Sequence, residues 1–288
     1  MSERISTNPH KEEEFSLSLF LFVVAISLGG VMGLVWLLAP QSVWMAQVGG
    51  SIWKLVAVFL GVSMFNAFME FFFHRYVLHK PVIKPLSYFY RQHTHHHSLT
   101  RITRRRTPGG LDVNFVENYY PIVKEEQKEA SFFPWYTFIV FALALTPLFV
   151  LLQWLAPSFP WFLGGYLALA SSLVIYEVFH AIEHWSFEKW GPLIDSPRTG
   201  RFWRHIYSFH LRHHAVIDCN ESISGFFTLP VADWVFGTCI MPGVLYHHGQ
   251  TSADHEFLSP RPVAPIRWLD SLADSIVKRR RSRAQRSA

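Results

Sequence analysis

The residues in this chain best suited to chemistry are its histidines, sixteen among 288 residues. Ten fall into four spaced groups: His74 and His79; His93, His96 and His97; His180 and His184; and His210, His213 and His214. On an α-helix, positions i, i+3 and i+4 project from one face, so each H-x-x-H-H group can present three imidazoles to a common point and the His180/His184 pair can present two. His74 and His79 are about 140° apart around an ideal helix and can face one centre only if the helix ends or turns between them. Imidazoles grouped at such spacings are metal ligands. Ten nitrogens exceed one tetrahedral zinc site, and Cys219 and Cys239 lie outside the groups, so thiolate chemistry is not indicated. Divided between two ions, the ten give about five each and leave a position for water, oxygen or substrate, which two iron sites fit best; zinc is the other occupant expected in purified protein, because imidazole binds it well.

Metal-bound imidazoles commonly donate their second N–H to a carboxylate. Glu70, one turn before His74, and Glu177, three residues before His180, are placed for that role, and Glu183 adjoins His184. His95 projects about 100° away from its neighbours and reads as a bystander or as support from outside the ligand set; His205 has the same status. Asp218 and Asn220 follow the last group and suit either the orientation of a ligand or the formation of a turn. His247, His248 and His255 read as surface residues.

The elements that must bring these groups together are apolar. The chain is 50% hydrophobic and only 16% charged, against about 25% charged in soluble proteins, which indicates a membrane protein. Four segments can cross the roughly 30 Å apolar layer that needs about 20 residues: residues 15–40, 51–73, 132–155 and 161–184. The first is not a cleavable signal, because its apolar run is too long and Lys11 to Glu14 before it is net acidic. The expected fold is all-α, with four transmembrane helices in two hairpins and a cytoplasmic helical lobe carrying a histidine-rich dimetal site.

Orientation follows from charge. The connections 39–50 and 156–160 contain no Lys or Arg, whereas 74–131 and 185–288 hold nearly all of them, which places those segments and both termini in the cytoplasm. Trp36, Trp44, Trp53, Trp154 and Trp161 then mark the outer boundary. The second and fourth crossings both run inward, so His74 and the His180/His184 pair arrive at one depth, and the other two groups follow in cytoplasmic segments. Gly29 and Gly33 suit close helix packing within the chain. The net charge of +5 is concentrated in Arg104 to Arg106 and Lys278 to Arg281, beside apolar segments; an anionic lipid surface is the expected partner, not nucleic acid. From Pro265 onward, Trp268, Leu269, Leu272 and Ile276 share a side ahead of the basic run, the pattern of a helix lying on headgroups. The organisation expected is a tail over 1–14, a membrane domain over 15–238 and a C-terminal cytoplasmic segment over 239–288.

The strings H-R-Y-V-L-H at His74–His79, H-T-H-H-H at His93–His97, H-A-I-E-H at His180–His184 and H-L-R-H-H at His210–His214 resemble, in order and content, the histidine boxes of the fatty acid hydroxylase/sterol desaturase superfamily. Asp233 to Thr238 resembles its short D-x-x-F-G-T element. The resemblance covers roughly Phe65 to Thr238. It implies a non-haem di-iron membrane oxygenase acting on a lipid, with O2 as cosubstrate and electrons from an external ferredoxin or cytochrome b5 type donor with its reductase. The long polar segments 98–131 and 185–209 depart from that pattern. Either can form a cap over the metals, and together they put substrate identity in doubt.

Hydroxylation, desaturation or related oxidation of a fatty acyl chain or sterol is therefore the leading expectation, in a bacterial inner membrane or endoplasmic reticulum. The alternatives are, within the superfamily, a desaturase or a carotenoid/sterol oxidase, and outside it a metal-dependent membrane hydrolase, which needs only three protein ligands and an open position. A metal transporter would carry ionisable residues deep in the membrane, whereas Lys54, Glu70, Glu177 and Glu183 lie near segment ends.

Overall fold

The computed structural model describes residues 15–243, 245–251 and 253–287; the tail expected over 1–14 lies outside the described residues. Among the described residues, four helices are long and apolar enough to cross a membrane: α1 (Leu17–Leu38), α3 (Ile52–Phe73), α6 (Thr137–Leu155) and α7 (Trp161–Glu183). A short helix, α2 (Gln41–Val48), lies in the first connection, and α3 runs on through a π-helical turn over His74–Leu78. The third long helix begins at Thr137, five residues later than the apolar run predicts.

Helix α7 is the centre of the bundle and packs against α1, α3 and α6. Two adjacent glycines allow this: a Cβ on Gly164 would stand 2.7 Å from Val58 Cγ1 of α3, and one on Gly165 would stand 2.5 Å from the Phe149 ring of α6. The close approach expected at Gly29 and Gly33 is not made, since both have open space beside them. Many apolar side chains on the bundle's outside face away from protein, including Leu37, Leu38, Leu143 and Val150, as lipid-facing helices require. At the end remote from the histidines, Gln47 of α2 accepts hydrogen bonds from the Phe162 and Leu163 amides, 3.1 Å each, in the first turn of α7, and its amide donates to Gln153 of α6. Those amides would otherwise be unpaired in an apolar setting. Trp36, Trp53 and Trp154 are exposed at this same end.

The polar lobe at the other end contains α4 (Ser87–Leu99), α5 (Glu125–Ser131), α8 (Phe187–Ile194), α9 (Gly200–Ala215), α10 (Val231–Phe236) and α11 (Ala264–Ser287). It also holds an antiparallel hairpin of β1 (Arg101–Arg106) and β2 (Asp112–Glu117), which corrects the all-α expectation. The cause is local. Ile102 is buried in a cluster with Trp190, Ile194, Tyr207 and Leu211, and Thr107 to Gly110 form a turn in which Gly110 takes φ 82°, a conformation that glycine adopts without penalty. Arg105 lies over the Phe115 ring, 3.3 Å from its centroid, and Arg104 pairs with Asp254, so part of the first basic run is engaged with protein.

The stripe expected on the C-terminal helix divides. Ile266 and Leu269 dock in a cluster with Phe71, Ala232 and Phe236, while Trp268 and Leu272 remain exposed. Asp270 of α11 receives Nε and Nη2 of Arg75 at 2.9 and 2.8 Å, and Asp274 receives Lys80 at 2.7 Å. The helix is thus clamped beside the π-helical turn through its acidic residues, leaving the basic run beyond it.

Candidate metal centre

The histidines converge in two groups. In one, His74, His79, His93, His97 and His213 each bring a ring nitrogen within 4.8 Å of the others; in the other, His96, His184, His210 and His214 do so. His180 stands at the edge of the second group, with its Nε2 3.1 Å from that of His96. All ten sequence-predicted ligands therefore lie at the centre. Each triplet, expected to meet at one point, is instead divided by one rule: the i, i+4 pair stays together and the i+3 residue crosses over. His93 and His97 go to the first site and His96 to the second; His210 and His214 go to the second and His213 to the first. On a helix, residues i and i+4 are about 40° apart, while i+3 and i+4 are about 100° apart, so a helix lying between two centres serves both. His97 and His214 meet across the boundary with rings stacked at 4.2 Å.

The inward atoms are Nε2 throughout. Within the first site, His74 to His93 is 2.9 Å, His93 to His97 3.0 Å, His79 to His213 3.1 Å and His79 to His93 3.2 Å; within the second, His184 to His210 is 2.9 Å and His210 to His214 3.0 Å. Facing lone pairs repel at such distances unless a cation lies between them. Nitrogens bound to a metal at about 2.0–2.1 Å are about 3 Å apart when their bonds meet at right angles and about 3.3–3.4 Å apart at tetrahedral angles. The observed spacing fits a centre with more than four ligands. Outside the long helices, burial holds His79, His93, His96, His97, His210 and His214 well below the ordinary imidazole value, and neighbouring imidazoles add to this; burial pushes His184 and His213 down to about 4. Neutral imidazole is the form that binds metal.

The outward nitrogens are held by two different parts of the chain. At the first site, His74 Nδ1 donates to the Glu221 carbonyl at 2.5 Å and His213 Nδ1 to the Cys219 carbonyl at 2.8 Å, both in the loop after α9. At the second site, the acceptors come from the 98–131 insert. His184 Nδ1 donates to the Asn118 carbonyl at 3.2 Å. Thr100 Oγ1 donates to the His96 carbonyl, so its lone pair accepts from His214 Nδ1 at 2.6 Å. Ser131 Oγ donates to the Gln127 carbonyl and so accepts from the Tyr120 hydroxyl, which in turn accepts from His96 Nδ1 at 3.0 Å. Burial raises the Tyr120 phenol to about 12, which keeps it protonated in this chain. Fixing the proton on Nδ1 leaves Nε2 free to bind metal.

The carboxylates are distributed differently from expectation. Glu70 accepts from the amides of Ile223, Ser224 and Gly225 and from the Ser224 hydroxyl, and Glu177 accepts from the Phe133 amide at 2.9 Å. Both anchor backbone next to the site, and no histidine is among these partners. Glu183 approaches His210, not its neighbour His184: Oε2 lies 3.2 Å from His210 Nδ1, though off the line of a hydrogen bond. Sequence reasoning missed the acceptors Thr100, Asn118, Tyr120 and Cys219 and one carboxylate, Glu221. It is fully buried, with Oε1 2.8 Å from Arg75 Nη1 and Oε2 4.0 Å from both His74 Nδ1 and His79 Nε2. Its one sequence signal is position, in the loop directly after the last histidine group.

Asn220, at φ 55°, donates to the carbonyls of Phe209 and Ile240 and accepts from the Ile240 amide, closing the loop that carries Cys219 and Glu221. The D-x-x-F-G-T element braces the same loop. Asp233 accepts from the Glu221 and Ser222 amides and from Thr238 Oγ1 at 2.6 Å, and Gly237 ends α10 at φ 72°. Asp218 lends its carbonyl to Arg75 at 3.1 Å. His95 contacts Ser98, His205 bonds to the Arg201 carbonyl, His247 and His248 pack on Phe187 and Phe115, and His255 is exposed beside Glu256. None of these five belongs to either group. No protein-family model, curated protein or solved structure matches this chain.

Proposed function

We propose that the protein is an O2-dependent, non-haem dimetal oxidoreductase of a membrane, hydroxylating or desaturating a long-chain lipid such as a fatty acyl chain or sterol. The observation that carries this reading is the pair of adjoining all-imidazole sites with Nε2 atoms about 3 Å apart, at one end of an apolar bundle. Iron bound at both sites would supply the reducible metal chemistry that breaks an unactivated C–H bond, which no side chain can do. The chain's own contribution is orientation. The Glu221 and Cys219 carbonyls fix the tautomers of His74 and His213, and Asn118, Thr100 and Tyr120 fix those of His184, His214 and His96. Most of these imidazoles are buried, with His79, His97 and His184 half-buried; shielding from bulk water would favour oxidation over hydrolysis.

The four histidine groups support membership of the fatty acid hydroxylase/sterol desaturase superfamily by resemblance, with electrons delivered by an external donor. In this reading the four long helices cross the membrane and the polar lobe, with the metals, is cytoplasmic. The test is iron-loaded protein in lipid bilayers, supplied with a reductase system under labelled oxygen. Two metal ions per chain and a lipid product that carries the label, or has lost two hydrogens with O2 consumed, are the expected results. Turnover without oxygen, with label entering only from water, would replace this reading with the hydrolase.

A further inference from the structure

A cavity of about 320 Å³ lies between α3, α6 and α7. Its walls are apolar, formed chiefly by Met69 and Phe73 of α3, Phe141 and Leu145 of α6, and Leu169 and Leu173 of α7. Helices α3 and α6 both pack on α7, and Met69 and Ala144, which line the cavity from these two helices, are exposed, so it opens sideways between them. At one end it reaches His74 and Leu78, and His74 is the one histidine in its lining. The five-histidine site is therefore the one that meets the cavity. Tyr176, with its ring 5.6 Å from that of His180, stands between the cavity and the second site.

The other end reaches Asn66 and Ser172, which hydrogen-bond to each other at 3.2 Å. Asn66 lies eight residues before His74, about 12 Å along the helix and toward the middle of the apolar layer. A charged group placed there would lose its hydration and meet only one amide and one hydroxyl, both neutral and hydrogen-bonded to each other, a cost of several kcal/mol for an ion. A hydrocarbon tail meets no such penalty. At the His74 end Glu70 and Ser224 line the cavity, hydrogen-bonded to each other, and the polar lobe lies beyond.

We infer that the cavity holds the tail of a single-chain amphiphile whose polar end lies toward the lobe, so that the carbon offered to the His74 site is close to the polar end and not at the terminal methyl. This rests on the membrane reading above and specifies the regiochemistry of that proposed reaction.

The test uses two photoactivatable fatty acids, one with a diazirine near the carboxylate and one with it near the methyl end, and the full metal-loaded chain in lipid nanodiscs. Peptide mapping is expected to find the methyl-end probe on Met69, Leu145 and Leu169 and the carboxylate-end probe on Leu78 and Phe133, both displaced by unlabelled fatty acid. Leu145→Trp and, separately, Ala144→Trp should reduce methyl-end labelling to background while two metal ions per chain are retained. The inference is overturned by the reversed pattern, or by labelling confined to outward residues such as Leu143 and Val150. Crosslinking needs no turnover, so the two readings fail separately: this pattern with no oxygen consumption would remove the oxidoreductase, and oxygen-dependent turnover with the reversed pattern would remove only the orientation.

Discussion

His74 and His79 stack ring on ring, centroids 4.9 Å apart and planes 17° from parallel, although five residues separate them. The π-helical turn over His74–Leu78 makes this possible, closed by the bond from the His79 amide to the His74 carbonyl at 3.0 Å. An α-helix would set the two about 140° apart. Widening the turn to i→i+5 bonding returns the fifth residue to the face of the first, and the helix stops at Leu78 with His79 as its C-cap, so both ligands are delivered at its very end. Inserted turns of this kind carry a cost and recur at functional sites.

The turn can be tested without changing composition. Exchanging two neighbours, Leu78→His with His79→Leu, restores the i, i+4 spacing that suits an α-helix but turns the imidazole away from the centre in a π-helical turn. Metal analysis should show one of the two ions lost or markedly weakened and the other retained. Full occupancy with native affinity would mean that the turn is incidental to ligation.

Much of the centre was legible in the sequence, because helix periodicity governs where side chains point. That logic placed His93, His96 and His97 on one helix and His210, His213 and His214 on another, and both are helical, in α4 and α9. It did not show that each triplet is split, which depends on where the axes of α4 and α9 run relative to two centres. Nor could it find the acceptors that hold the outward nitrogens, since three are backbone carbonyls, of Asn118, Cys219 and Glu221, and every residue type has one. The hairpin is a different case. Thr107-Pro108-Gly109-Gly110 is a turn signal and Ile102 sits amid polar neighbours, but β1 is dominated by arginines, whose pattern reads first as charge.

The insert should govern one metal and not the other. Thr100→Val and Tyr120→Phe remove the acceptors of His214 and His96 at close to constant volume, and loss of such a partner typically costs about ten- to hundredfold in metal affinity. Competition with a chelator should show that loss for one ion per chain in either variant. Equal weakening of both ions would place the role of the insert in folding. His97→Ala and His213→Ala should lower occupancy directly, whereas His255→Ala, at an exposed position outside both groups, should leave metal content and activity unchanged.

Arg75 joins Glu221 beneath the first site to Asp270 on α11. Arg75→Met leaves the buried Glu221 carboxylate without its partner, for which about 3–5 kcal/mol of destabilisation is typical. Thermal unfolding in detergent should show a large loss for Arg75→Met and partial recovery when Glu221→Gln is added, since the second change removes the uncompensated charge. If the double variant is no better than the single one, the ion pair is not the source of the stability.

The orientation of the bundle follows from two features at opposite ends. Exposed Trp36, Trp53 and Trp154 mark an end whose connections carry no Lys or Arg, while the histidine end bears nearly all of them. In the proposed orientation, the bias that keeps basic segments in the cytoplasm would put the histidine end on that side, within reach of soluble electron donors. Single cysteines in a Cys219- and Cys239-free background can test this at exposed positions: Ser42 and Ser158 at the tryptophan end, Ser98 and Ser282 in the lobe. An impermeant thiol reagent applied to intact cells should label the first two and reach the others only after the cells are opened. Labelling of Ser98 and Ser282 from outside would invert the topology and place the metal centre away from any cytoplasmic donor, and the proposed source of electrons would fall with it.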